Sequence, residues 1–215
     1  MLTSSQIRIV LKILRREYRN RSTALTFNNP FQLLISTMLS AQSTDKQVNK
    51  ITDSLFKECP DAPSFLRLGK QELEKRIKSI GLYKNKANHI YETCKILVDK
   101  YQGEVPESLE ELIQLPGVGR KTANVVLSVG FKRDAIAVDT HVFRVANRLG
   151  LAKADNPQKT ELQLMKNIHK KDWSAAHHWL IWHGRMICKA KNPKCEICPL
   201  KKYCQYVRNP VSVIK

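Results

Sequence analysis

The chain has 215 residues and carries 37 Lys and Arg against 19 Asp and Glu, a formal net charge of +18. That length supports one or two domains with a true core, burying roughly 70% of the unfolded surface. A surplus of positive charge this large attracts polyanions and repels cationic ligands, so nucleic acid is the leading partner and a membrane surface the second. No apolar run approaches the ~20 residues needed to span a bilayer, and the Arg-rich start lacks the apolar stretch of a secretory signal.

The first residues read instead as a folded helix. Ile7, Val10, Leu11 and Leu14 fall at i, i+3, i+4 and i+7, and Thr3 with Gln6 can form a capping box. The same helical period recurs in Phe31, Leu34, Ile35, Met38 and Leu39, then in Val48, Ile51 and Leu55, then in Ile90, Cys94, Leu97, Val98 and Tyr101. Breaks at Asn28-Asn29-Pro30, Cys59-Pro60, Gly81, Gly103, Pro116-Gly117, Gly130, Gly150 and Asn156-Pro157 divide the pattern into about ten short helices without a convincing strand, so the fold is expected to be all-α. Cys59 and Cys94 lie on apolar stripes and are read as core filler.

An internal echo follows. Ser79-Ile80-Gly81-Leu82-Tyr83-Lys84-Asn85-Lys86-Ala87 can be laid over Leu115-Pro116-Gly117-Val118-Gly119-Arg120-Lys121-Thr122-Ala123, both reading helix, glycine turn, helix. In the second copy Ser108 and Glu111 can cap the helix that ends at Leu115, and Val125, Val126, Leu127 and Val129 make the next helix strongly apolar. Gly117 and Gly119 admit backbone angles closed to other residues and remove Cβ atoms that would hold a phosphate away. Amides in the first turn of the second helix then face outward, where they can bind phosphate without reading base identity. A glycine that merely ends a helix would look the same, so this turn alone is weak evidence.

Near the C-terminus Cys188, Cys195, Cys198 and Cys204 follow a C-x6-C-x2-C-x5-C spacing, with Asn192, Pro193 and Pro199 supplying turns. Four sulfurs suit zinc or an iron–sulfur cluster. Structural zinc favours two C-x2-C pairs and this run holds one, which favours the cluster. Lys189, Lys191 and Lys194 fall in the first gap, so ligation would fix a loop that presents cations to a phosphate backbone. His177, His178 and His183 accompany Trp173, Trp179 and Trp182 on one presumed helix and are read as packing and phosphate contacts.

Taken together, Leu115 to Ala123, then Val138-Asp139-Thr140-His141-Val142, then the four-cysteine loop, resemble the endonuclease III family, DNA glycosylases with lyase activity in the helix-hairpin-helix superfamily. Leu39-Ser40-Ala41-Gln42-Ser43-Thr44-Asp45 also resembles that family's segment near the flipped base, so the likeness runs from about residue 28 to residue 204. The resemblance implies two helical lobes: a six-helix barrel with the helix-hairpin-helix over 23–133, and a [4Fe-4S] cluster lobe built from 1–22 and 134–215. It implies a base-excision-repair DNA N-glycosylase that removes oxidised pyrimidines and cleaves the resulting abasic site by β-elimination through a lysine Schiff base. Lys121 and Asp139 are the implied catalytic residues, and Cys188, Cys195, Cys198 and Cys204 the cluster ligands. Implied DNA contacts are Gln42, Leu82, Gly117, Val118, Gly119, Arg120, Thr122, His141, Lys189 and Lys191, with Leu82 as the wedge and Gln42 as the gap filler. The expected partner is double-stranded DNA containing damaged bases or abasic sites. A monomer in the cytoplasm, associated with the nucleoid, completes the expectation.

Lys121 follows directly on the hairpin, where a gripped strand would bring a sugar within reach. An amine attacking C1′ must be unprotonated, which requires its pKa to fall from about 10.4 towards 7, roughly 4 to 5 kcal/mol. The positive end of its helix supplies about 0.3 to 1 kcal/mol. Desolvation and neighbouring cations such as Arg120 must supply the rest, or a carboxylate must take the proton during attack. Asp139 fits that second role and can cap the helix starting near Thr140 at the same time. An ionised Asp139 beside Lys121 would, however, raise the lysine's pKa and oppose the shift. Two other readings compete: a monofunctional adenine or mismatched-thymine glycosylase of the same fold, which generally lacks the lysine, and a non-catalytic DNA-binding module.

Overall fold

A computed structural model describes residues 1–208, and 209–215 lie outside the described residues. The α-helices, in chain order, are α1 (Ser4–Tyr18), α2 (Pro30–Ser40), α3 (Asp45–Glu58), α4 (Ala62–Leu68), α5 (Lys70–Arg76), α6 (Tyr83–Tyr101), α7 (Leu109–Leu112), α8 (Arg120–Val125), α9 (Thr140–Leu149), α10 (Pro157–Asn167), α11 (Trp173–Met186) and α12 (Gln205–Arg208). A π-helical turn, Val126–Gly130, continues α8, and 3-10 turns occupy Lys170–Asp172 and Cys195–Ile197. Among the described residues there is no strand, as the period-3.6 stripes require, and no helix is long and apolar enough to cross a membrane. More helices form than the ten expected, because Gly69 at φ 79° parts α4 from α5, while α7 and α12 are single turns too short to carry a period.

Most helix starts are fixed by their own sequence. Thr3, Asn29, Thr44, Asp61, Ser108, Asp139 and Asn156 each accept a bond from the backbone N–H three residues on, stabilising their helices by about 1 kcal/mol apiece. Thr3 and Gln6 form the full capping box.

The chain divides into two compact units, Ala24–Lys132 and Met1–Thr23 with Arg133–Lys215. In the first, every side chain from Phe31 to Leu39 is buried, so α2 is enclosed on all sides and serves as the central helix. Helices α3, α6 and α8 and the π turn pack around it. Phe65 of α4 meets Phe31 edge to face at 5.3 Å. Cys59 and Cys94 are buried core residues, and burial pushes the Cys94 thiol up to about 12.

In the other unit α1 and α9 pack on α11, joining Val10, Leu14, Val142, Val145, Leu149 and Leu180 in one core. The histidines of α11 belong to that core. His177, His178 and His183 are at most 9% exposed, and His177 Nδ1 lies 2.7 Å from the carbonyl of Ala137. They are therefore packing residues, and the expectation that they touch phosphate is corrected by their burial.

Candidate nucleic-acid interface and metal centre

The hairpin between α7 and α8 is held from behind. Ser108 caps α7, and the N–H of Val118 donates to the carbonyl of Leu115 at 3.0 Å. Thr93 Oγ1, from α6, donates to the carbonyl of Pro116 at 2.9 Å. The side chains of Leu115 and Val118 are buried. Val118 can therefore meet a ligand only through its backbone.

The two glycines of the turn do different work. Gly117 has φ 74°, in the left-handed region, and a Cβ there would lie 2.8 Å from the Cβ of His89. Gly119 has φ −87° and ψ 170°, ordinary extended backbone, with nothing within 4 Å of its missing Cβ. The expectation that both need special angles holds for Gly117 alone; Gly119 contributes open space. As N-cap of α8 it supplies no side-chain acceptor to the first turn of that helix, the end that carries the positive pole of the helix dipole. Arg120 and Thr122 are half-buried beside that opening, and Lys121 is exposed.

The second feature of this unit lies where α2 ends and α6 begins. Gln42 and Leu82 both adopt left-handed backbone, φ 58° and φ 59°, which is strained for residues with a Cβ. Gln42 is exposed, and Leu82, at 59%, is among the most exposed large apolar side chains of the chain. A leucine held in a strained turn with its side chain in water is the opposite of a core leucine.

In the unit formed from both ends of the chain, Asp139 caps α9: its Oδ1 accepts from the N–H of Val142 at 2.7 Å, which fixes the carboxylate and leaves Oδ2 for other chemistry. His141, in the first turn of α9, sits with Nδ1 3.1 Å from Nη2 of Arg144. Arginine can only donate, so Nδ1 accepts and the neutral ring carries its proton on Nε2. Burial lowers the His141 pKa below the usual histidine value; Asp139 opposes this, and Arg144 and Arg185 reinforce it. Lys121 and Asp139 belong to different units.

Two arginines on α9, missed by the sequence reading, organise the cysteine loop. Arg144 donates from Nε to the carbonyl of Cys188 at 3.0 Å and from Nη2 to that of Gly184 at 3.1 Å. Arg148 donates to the carbonyls of Lys189 at 2.7 Å and Ala190 at 3.0 Å, and its Nη1 stands 3.6 Å from Cys188 Sγ. Their spacing of four residues on a basic helix was the available signal. Lys189, Lys191 and Lys194 are exposed on the loop so held. Behind it, His183 Nε2 lies 3.6 Å from Cys198 Sγ while its Nδ1 meets Tyr18 Oη at 3.1 Å, tying α1 to the loop. Burial pushes the His183 pKa down to about 4, so the ring is neutral at physiological pH.

All four cysteines of the motif line one small cavity, with Leu149, Ile187 and Val207 supplying apolar walls. Burial pushes the Cys198 thiol up to about 11, and the three neighbouring thiols push it the same way. Such a set becomes four thiolates only around a strongly positive centre. Four cysteines around one cavity with apolar walls are the donor set of an iron–sulfur cluster, which these residues fit.

Comparison with known proteins agrees. Residues 35–170 match the model of a "HhH-GPD superfamily base excision DNA repair protein", and 188–204 match an "Iron-sulfur binding domain of endonuclease III". The chain is 51% identical to endonuclease III of Rickettsia felis, covering 96% of this chain and 98% of that one, and 46% identical to endonuclease III of Bacillus subtilis, covering 95% and 94%. A solved structure of a trapped endonuclease III–DNA covalent intermediate superposes with a TM-score of 0.92 at 48% identity, covering 98% of this chain and 99% of that one.

The two glycines of the hairpin should respond differently. Gly117→Ala is expected to lower folding stability by about 1 to 2 kcal/mol through left-handed strain, plus the clash with His89. Gly119→Ala should leave the melting temperature unchanged and still weaken DNA binding, because its methyl group occupies the approach to α8. Thermal melts paired with a binding titration decide it, and equal stability for both variants would contradict the assignment. Cys195→Ser should lose the visible absorbance of the cluster and weaken DNA binding. A colourless wild-type protein containing zinc would contradict the cluster.

Proposed function

Since the chain belongs to the endonuclease III family of base-excision-repair enzymes, we propose that Lys121 is its nucleophile and Asp139 the carboxylate that assists it. The protein is a DNA glycosylase and abasic-site lyase that acts on double-stranded DNA and carries a [4Fe-4S] cluster. The observation that carries the residue assignment is local: Lys121 lies one residue inside a helix whose first-turn amides have no side-chain cap, behind a turn braced by Thr93 and Gly117. A phosphate on those amides fixes the register of the strand and brings the next sugar to the lysine.

The reaction then runs in bonds that balance. The Lys121 amine, deprotonated, attacks C1′; the N-glycosidic bond breaks and the base leaves with a proton. Ring opening gives an imine between Nζ and C1′, which acidifies the C2′ hydrogens. Loss of one such proton expels the 3′ phosphate, and water finally hydrolyses the imine to release the sugar and restore the amine. Asp139, held rigidly by its bond to Val142, takes the proton lost from nitrogen or stabilises cationic sugar through its second oxygen. Because Lys121 is exposed in the protein alone, the desolvation that helps to deprotonate it comes from the docked strand.

Leu82 enters the stack as the wedge and Gln42 fills the space left by the extruded base, at a cost of a few kcal/mol that favours lesions already poorly stacked. Oxidised pyrimidines are the proposed substrates. Cys188, Cys195, Cys198 and Cys204 hold the cluster, which supplies a rigid scaffold for the loop bearing Lys189 and Lys191. The functional domains are 23–133, with the hairpin, and 1–22 with 134–215, with the cluster. A monomer associated with the nucleoid in the cytoplasm fits this chemistry.

The test is strand cleavage and borohydride trapping on duplex DNA containing thymine glycol. Wild type should release the base, nick the strand and form a covalent complex. Lys121→Ala should lose trapping entirely and at least 10²-fold in nicking. Asp139→Asn should fold normally and lose at least tenfold in base release. Base release by wild type without trapping would overturn the lyase assignment.

A further inference from the structure

Lys86, in the second turn of α6, is a lysine placed where lysines are rarely found. It is 7% exposed, and its ammonium group donates to the carbonyl of Leu39 at 2.8 Å and to the carbonyl of Ala41. Those oxygens belong to the C-terminal end of α2, where the last carbonyls lack partners within the helix and the helix dipole is negative. The side chain thus caps α2 from a different helix. Burial lowers the Lys86 pKa, the cost of holding a cation there, and that cost is offset by bonds to carbonyls rather than by a carboxylate.

What this cap joins gives it a role. The residue after Ala41 is Gln42, and Lys86 stands one helical turn from Leu82, to whose carbonyl its own N–H donates at 3.0 Å. One side chain therefore spans from the turn that carries Gln42 to the turn that carries Leu82. The turns also touch: a Cβ on Gly81 would lie 3.5 Å from the carbonyl oxygen of Gln42. A second tie runs from Gln47 Nε2 to the carbonyl of Ser79 at 3.3 Å. Both turn residues are strained, φ 58° and φ 59°, and strained backbone persists only where its surroundings over-determine it.

We propose that Lys86 is a positioning residue that locks Gln42 and Leu82 at a fixed separation, so that wedge and gap filler enter the duplex as one rigid unit. The proposal rests on the reading of Gln42 and Leu82 as the DNA-probing pair. Without the lock each turn relaxes separately, and the ordering that the fold now supplies has to be supplied again whenever a base is extruded. Loss of Lys86 therefore impairs extrusion of a stacked base and spares chemistry on a sugar that needs no extrusion.

The experiment compares wild type with Lys86→Met, which keeps the length and apolar stem and removes the donors, and Lys86→Arg, which keeps donors. Two substrates are used: duplex DNA with a single thymine glycol opposite 2-aminopurine, and a single-stranded oligonucleotide with an abasic site. Lys86→Met is expected to lose at least tenfold in kcat on the duplex and to blunt the 2-aminopurine fluorescence change. Borohydride trapping on the single strand should stay within twofold of wild type, and Lys86→Arg should recover most of the loss. Unchanged duplex kinetics and fluorescence in Lys86→Met would overturn the proposal, and so would an equal loss on both substrates, which marks general structural damage.

Leu82→Ala and Gln42→Ala are measured alongside. If they impair duplex turnover and Lys86→Met does not, the lock falls and the probing pair stands; if they too are silent, both fall. Should Lys86→Met not fold, Lys86→Gln, whose amide is too short to bridge the carbonyls of Leu39 and Ala41, takes its place with the same expectations.

Discussion

The open start of α8 is the constraint around which the rest of the hairpin is arranged. Among the described residues seven helices satisfy a first-turn amide with their own Ser, Thr, Asn or Asp side chain. At α8 the capping position is Gly119, which has no side chain to offer, and its missing Cβ faces open space. At such a helix start a phosphate oxygen is a stronger acceptor than water because it also meets the positive end of the helix. Everything behind the opening keeps it in place: Thr93 on the carbonyl of Pro116, buried Leu115 and Val118, and Gly117 folded against His89. Lys121 inherits its position from that arrangement. It is exposed, so under the proposed mechanism the fold supplies aim and the docked strand supplies the dry surroundings the chemistry needs.

The cysteine loop shows the same division of labour. Four sulfurs define the centre, but the peptide between them is shaped by α9. Arg144 and Arg148, four residues apart, take up the carbonyls of Gly184, Cys188, Lys189 and Ala190. Planar guanidinium groups suit this because each offers several donors in fixed directions. Tyr18 and His183 then link α1 to Cys198, a physical reason for the first helix to fold with the cysteine loop. A loop rigid on its inner side can present Lys189 and Lys191 outward without paying for their backbone order on binding.

Much of this was legible in the sequence because it is local. Thr3 with Gln6, Ser108 with Glu111, and Asp139 before α9 are caps whose partners lie three residues away, and all formed. Cysteine spacing and the glycine turn are likewise short-range signals. What the sequence left hidden depends on partners far along the chain. Gly119 looks as special as Gly117, yet only Gly117 is pressed against a side chain from another helix. The histidines of α11 read as packing and phosphate contacts, and only the packing part holds, because α1 and α9 close over that helix. Lys86 is one lysine among many; only the fold reveals that it ends 47 residues away on the carbonyl of Leu39. The π turn after α8, Val126–Gly130, carries no recognisable residue pattern either, since its extra residue is accommodated by packing against α2.

Under the proposed mechanism the amine presented by the braced hairpin is the one that joins the sugar. Mapping the attachment point tests it most directly: the borohydride-reduced complex with an abasic duplex is digested with a protease, and the peptide bearing the reduced sugar is sequenced by mass spectrometry. The account predicts a single modified position, Lys121. Modification at any other lysine, or at the N-terminal amine, with Lys121 recovered unmodified, would contradict it.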